Sequence, residues 1–177
     1  MGSAVFRIGL AVWALVSLGA ALWLATLNTG NIAVRIKVFR SRAVGAVTGF
    51  AALALTVPPA GPLLWDWLAP WYVPIIAVFG ILCVIFIDFV GSRGISGLVM
   101  MAAYYFLHYS FAFDIPCALF GCCLSWLAAA GAIAAAAKPC WMRDGAIFLA
   151  GHLRLRIAAA VLAAVTALYC AYESVVL

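Results

Sequence analysis

The stretch FVGSRGISGLVMM, Phe89–Met101, decides how the chain is cut into elements, because it separates two long apolar runs. It brings together three glycines, Gly91, Gly94 and Gly97, with Ser92, Arg93 and Ser96. Glycine punctuates apolar segments and relieves the backbone of tight turns. The expected structure is therefore a turn between two helices. In it Arg93 supplies a surface charge, and the Ser96 hydroxyl satisfies an orphan N–H at the start of the second helix.

Outward from this stretch the chain is apolar almost throughout. Hydrophobic residues make up 69% of the 177 residues and charged ones 8%, with a mean hydropathy of +1.24. Soluble domains hold about 45–50% apolar and about 25% charged residues, so a soluble protein is excluded. A helix of about 20 apolar residues crosses a hydrocarbon core of about 30 Å, which leaves room for six spans. The expected fold is an all-α, polytopic membrane helix bundle forming a single domain over residues 1–177, with no soluble domain. Its spans are Ile8–Leu27, Ala43–Val57, Val73–Phe89, Ile95–Ile115, Pro116–Ala137 and Ile157–Val176.

The first run outlasts the 7–15 residues of a signal-peptide core, so it is expected as a retained span. Phe6 stands where a myristoylation motif wants Ser or Thr. The second span poses a length problem, since fifteen helical residues rise only about 22 Å. It must borrow from Pro58-Pro59-Ala60-Gly61-Pro62, thin the bilayer, or stop short of crossing.

Basic residues orient the bundle. Nine of the ten Lys and Arg fall in alternate loops: Arg35, Lys37, Arg40 and Arg42 after span one, Arg93 after span three, and Lys138, Arg143, Arg154 and Arg156 after span five. Positive loops stay cytoplasmic, so both termini are expected outside, N-out and C-out, in a bacterial inner (plasma) membrane. Arg7 is the one exception, and Asp66, Asp114 and Glu173 fall on the outer side. Trp65, Trp67, Trp71 and Tyr72 suit the outer headgroup level. Asn31–Phe39, NIAVRIKVF, alternates apolar and basic residues with the period of a strand; it is expected as a positive-inside loop, with a strand pairing with a partner's edge or a basic arm on anionic lipid as the alternatives.

Lipid removes the hydrophobic drive between helices, so contact depends on small residues at helical spacing. Gly45 and Gly49, then Gly121, Ser125 and Ala129, then Ala160, Ala164, Ala167 and Ala171 form such stripes. The expected partners are the lipid bilayer and, through these stripes, other proteins or further copies of the chain. Nucleic acid is not expected.

Span four is the polar one. Tyr104, Tyr105, His108 and Ser110 are the candidate ligand-binding residues, because Tyr104 and Tyr105 lie four and three residues before His108 on one helix and ionisable groups inside a membrane carry function. Asp88 is expected to pair with Arg93 at the surface. The six cysteines contain no C-x-x-C and only two histidines accompany them, so no metal site and no cofactor is expected. Cys117 and Cys170 are the pair placed for a disulfide.

Gly94-Ile95-Ser96-Gly97, followed by SGLVMMAAYYFL and, 56 residues after Ser96, by His152 in LAGHL, resembles the rhomboid intramembrane proteases. Those are six-helix bundles with a Gly-x-Ser-Gly at the start of helix four and a His in helix six. The resemblance implies a Ser96/His152 dyad, in which imidazole takes the hydroxyl proton. Span two holds no His or Asn of the kind that lines that family's oxyanion hole, and Arg154 and Arg156 follow His152. Size and span number are also similar to the small substrate-binding components of energy-coupled vitamin importers and to the rod-shape membrane scaffold. The expected function is accordingly non-catalytic, a transporter subunit or a membrane assembly scaffold, with the serine protease as the alternative.

Overall fold

The computed structural model describes residues 2–60, 64–65, 67–88, 90–112 and 118–176, residues 2–5 by backbone alone. Asp66, Asp114, Cys117 and the expected boundary at Ile115–Pro116 lie outside the described residues. Those described form eight α-helices: α1 (Gly2–Ala25), α2 (Ile32–Arg35), α3 (Arg42–Ala60), α4 (Ala69–Phe86), α5 (Val90–Ser110), α6 (Ala118–Ala137), α7 (Cys140–Gly151) and α8 (Leu153–Val176). A 3-10 helix, Ile36–Arg40, links α2 to α3.

Five helices are long and apolar enough to cross a membrane: α1 from Phe6, α3, α4, α6 and α8. This fits an integral membrane protein. In α4 only Gly80 is buried, while Val73, Ile75, Val78, Phe79, Ile81, Leu82, Ile85 and Phe86 are all exposed. In water such a face would be an aggregation site; against acyl chains it is at rest. At 21 residues α5 has the length to cross, but Ser92, Arg93, Ser96 and His108 lower its hydropathy.

Three regions take a definite form. The second span solves its length problem by running through Pro58 and Pro59 to Ala60, giving 19 residues. Prolines in a last turn sacrifice hydrogen bonds without stopping the preceding helix. The Asn31–Phe39 alternation forms no strand: helical turns occupy Ile32–Arg40, because a lone strand would leave every N–H and C=O unpaired. Finally, the loop expected after span five contains α7, and α8 begins at Leu153, drawing Arg154 and Arg156 into the helix.

The chain divides into two compact units. The first comprises Met1–Val34, Ala102–Ala129 and Asp144–Leu177. There α1 and α8 pack antiparallel. Arg7 Nε at the start of α1 donates to the Ser174 carbonyl at the end of α8, 3.0 Å away, and the Arg156 guanidinium at the start of α8 donates to the Leu27 carbonyl just beyond α1. Arginine thus satisfies carbonyls left over near both C-terminal ends. Asn28 and Asn31 each accept the other's backbone N–H, at 2.9 and 2.8 Å, which fixes the turn after α1. Between the two latches Phe6, Leu10 and Ala14 meet Phe106 and Cys170, and Gly121 leaves space filled by Phe106 and the Tyr169 hydroxyl.

The second unit comprises Arg35–Met101 and Ala130–Arg143. The sequence GSRGISG is not a turn here, since α5 starts at Val90 and runs straight through it. Gly91, Gly94 and Gly97 recur every third residue and form one face of its first turns. A Cβ on Gly91 would meet the Val38 and Phe39 carbonyls at 2.5 and 2.9 Å. On Gly94 it would strike Thr48 Oγ1 and reach Gly45 O and Gly49 N at 3.0 Å; on Gly97 it would touch Ala52 Cβ at 3.2 Å. In return, Gly45 is buried against Val90. Each helical glycine costs about 1 kcal/mol against alanine, and close backbone approach offsets that cost.

Candidate functional site

The glycine face leaves a groove as well as a contact. An apolar groove of about 310 Å³ is lined by Gly49, Phe50 and Leu53 of α3, Phe79, Gly80 and Cys83 of α4, and Val90, Arg93, Gly94 and Gly97 of α5, among others. Gly49 has open space where a Cβ would stand. Arg93 lies in the first turn of α5, exposed. It makes no hydrogen bond or ion pair among the described residues, so the expected Asp88–Arg93 pair does not form; Asp88 is itself exposed. With 14 lining residues the groove has one charged side chain. Sequence reasoning found Gly45 and Gly49 but took Gly94 and Gly97 for a turn, although their three-residue spacing was the available signal.

The expected ligand residues divide. In the second half of α5, Tyr104 and His108 are exposed and stack at 5.8 Å with an interplanar angle of 11°. Tyr105 stacks on Tyr109 at 6.1 Å. Edge contacts from Tyr104 to Tyr105 and from His108 to Tyr109 join the two stacks into an aromatic surface. Ser110 turns away from that surface. It is buried, donates to the Leu107 carbonyl at 2.9 Å, and lies 3.5 Å from Cys122 Sγ.

Ser96 and His152 belong to different units of the chain. Ser96 lies in the second turn of α5, not at its cap, with 0% exposure and no hydrogen-bond partner for Oγ. His152 is the single residue between α7 and α8. Its Nδ1 is 2.8 Å from the Phe148 carbonyl and its ring stacks on Phe148 at 4.2 Å. A serine nucleophile needs its base within hydrogen-bond reach, and the Ser96 hydroxyl makes no such bond.

The remaining polar features lie elsewhere. Ser92 Oγ donates to Met142 Sδ at 3.0 Å, tying α7 to α5 within the second unit. Cys83, Cys122, Cys123, Cys140 and Cys170 are free thiols. Among the described residues no three His, Cys, Asp or Glu side chains gather to hold a metal. Glu173 on α8 has 0% exposure and neither carboxylate oxygen is hydrogen-bonded, a feature the sequence reading placed only as an outer-side charge.

Fold and groove together describe an all-helical chain suited to a bilayer, with an apolar recess and one cation on its wall. No family model, curated protein or solved structure matches this chain.

Proposed function

We propose that this chain is a non-catalytic integral membrane protein that binds the hydrocarbon part of an amphiphile, serving as a binding subunit of a transporter or membrane assembly. The observation that carries the reading is the groove in the second unit. The groove, of about 310 Å³, is lined by apolar side chains and glycines apart from Arg93. An acyl or isoprenoid chain suits an open recess with walls of this chemistry. The lining gives such a chain apolar walls, and Gly49 leaves open the space a side chain would fill.

In this reading α5 is the sixth span, both termini face outward, and the basic loops face the cytoplasm of a bacterial inner membrane. The exposed Tyr104–His108 surface suits the headgroup level, where amphipathic rings collect. An enclosed Ser96 hydroxyl without a base weighs against a hydrolase.

Cys83 provides the test, since it is a free, half-buried thiol on the groove wall. In detergent, maleimide labelling followed by peptide mass spectrometry should show Cys83 slowed severalfold by added diacyl lipid, with the exposed Cys123 unchanged. A Cys83 rate indifferent to lipid would refute the groove as a binding site. The orientation has a separate check: Cys140 should react with an impermeant maleimide only once the cytoplasmic face is opened.

A further inference from the structure

We infer that the guest is an anionic phospholipid, with one acyl chain in the groove and its phosphate on Arg93; this rests on the groove reading above. The recess is apolar apart from one residue, and that residue is a cation in the first turn of α5, beside Val90, Gly94 and Gly97. Arg93 spends its guanidinium on no hydrogen bond or ion pair among the described residues, not even on the exposed Asp88 two residues before α5. A long side chain of this kind lays its methylenes along apolar surface and carries its charge to the headgroup level. Guanidinium also presents a planar fork of donors that matches phosphate. Gly94 and Gly97 follow it on α5 and line the same recess, so a lipid held by its phosphate at Arg93 would send its chain into the groove.

The occupant is thereby distinguished from a zwitterionic lipid, which offers the same chains but no net charge. A basic residue near an anionic membrane surface is worth about 1 kcal/mol, which corresponds to a preference of about fivefold.

Native mass spectrometry of the full chain, delipidated in mild detergent and titrated with phosphatidylglycerol or with phosphatidylcholine of the same chains, reads this directly. Wild type should retain phosphatidylglycerol about fivefold better. Arg93→Gln should abolish the preference, bringing the two lipids to one level, with the larger loss for phosphatidylglycerol, because phosphatidylcholine also carries a phosphate and differs in its net charge. Gly49→Leu, placed where open space exists, should weaken both lipids equally. Glycerophosphoglycerol, the headgroup without chains, should not compete. Equal binding of the two lipids, or a preference surviving Arg93→Gln, overturns the anionic guest while leaving the groove intact. Failure of Gly49→Leu to weaken either lipid overturns the groove itself. A thermal melt of each variant confirms that it is folded, and Arg93→Lys, which keeps the charge, should retain most of the preference.

Discussion

Replacing Gly94 by alanine is the most direct test of how α3 and α5 meet. The new methyl would strike Thr48 Oγ1, which cannot swing aside freely because it donates to the Val44 carbonyl at 2.7 Å. It would also press Gly45 O and Gly49 N at 3.0 Å, and those are backbone atoms that move only if a helix moves. Overpacking of this kind costs about 1–3 kcal/mol. Alanine meanwhile gains about 1 kcal/mol in helix propensity over glycine, so the expected net loss is about 0–2 kcal/mol. Gly131→Ala in α6 isolates the contact term, since that glycine is exposed and a Cβ there meets nothing within 4 Å. Its expected change is a gain of up to about 1 kcal/mol. Propensity cancels between the two variants, so their difference reports the α3–α5 contact alone. Unfolding in mixed micelles by a denaturing detergent, followed by circular dichroism, measures both. If Gly94→Ala matches Gly131→Ala in stability, the close approach of these helices does not exist.

Three further outcomes follow from buried polar groups. Glu173→Met removes two carboxylate oxygens that are fully buried and unpaired, and should stabilise the protein by about 1–3 kcal/mol; a loss of stability in the same assay would mean the carboxylate has a partner. Arg156→Met removes the charged donor from the Leu27 carbonyl and should cost about 1.5–3 kcal/mol, appearing as earlier loss of helix on detergent titration. Ser96→Ala deletes an orphan hydroxyl and should be neutral or stabilising by up to about 1 kcal/mol. Fluorophosphonate labelling of Ser96 in the parent protein would contradict the non-catalytic reading.

The apolar runs made the long helices legible, because length and hydropathy report directly on a span. What stayed hidden depended on partners distant in sequence. Arg7 broke the positive-inside pattern, and its bond to Ser174 spans 167 residues, so no local rule could connect them. Glu173 looked like an outer-surface charge because a sequence does not show that its helix face turns inward with Ala167 and Cys170. The candidate site was half legible. Tyr104, Tyr105 and His108 do share a surface, as their spacing implied, whereas Ser110, two residues beyond His108, falls on the opposite side. A step of two residues turns a helix by about 200°.

The glycines of GSRGISG show why composition misled where spacing would have informed. Glycine at a turn and glycine at a helix contact share one property, the missing Cβ, and differ only in what occupies the vacated space. In water a segment this rich in glycine tends to leave the helix, since each one costs about 1 kcal/mol. In the proposed reading, with α5 as a span, the unravelled alternative would leave backbone groups of the segment's inner part with no water to bond, at several kcal/mol each, which favours the helix and makes the glycines a smooth face. Where α3 lies against that face, as at Gly94, the missing side chains bring backbones together. Where no helix covers the small residues, as at Gly49, the same absence leaves the open recess. Contact and groove are thus two outcomes of one sequence pattern, and a substitution that fills the second without touching the first, Gly49→Leu, separates binding from folding.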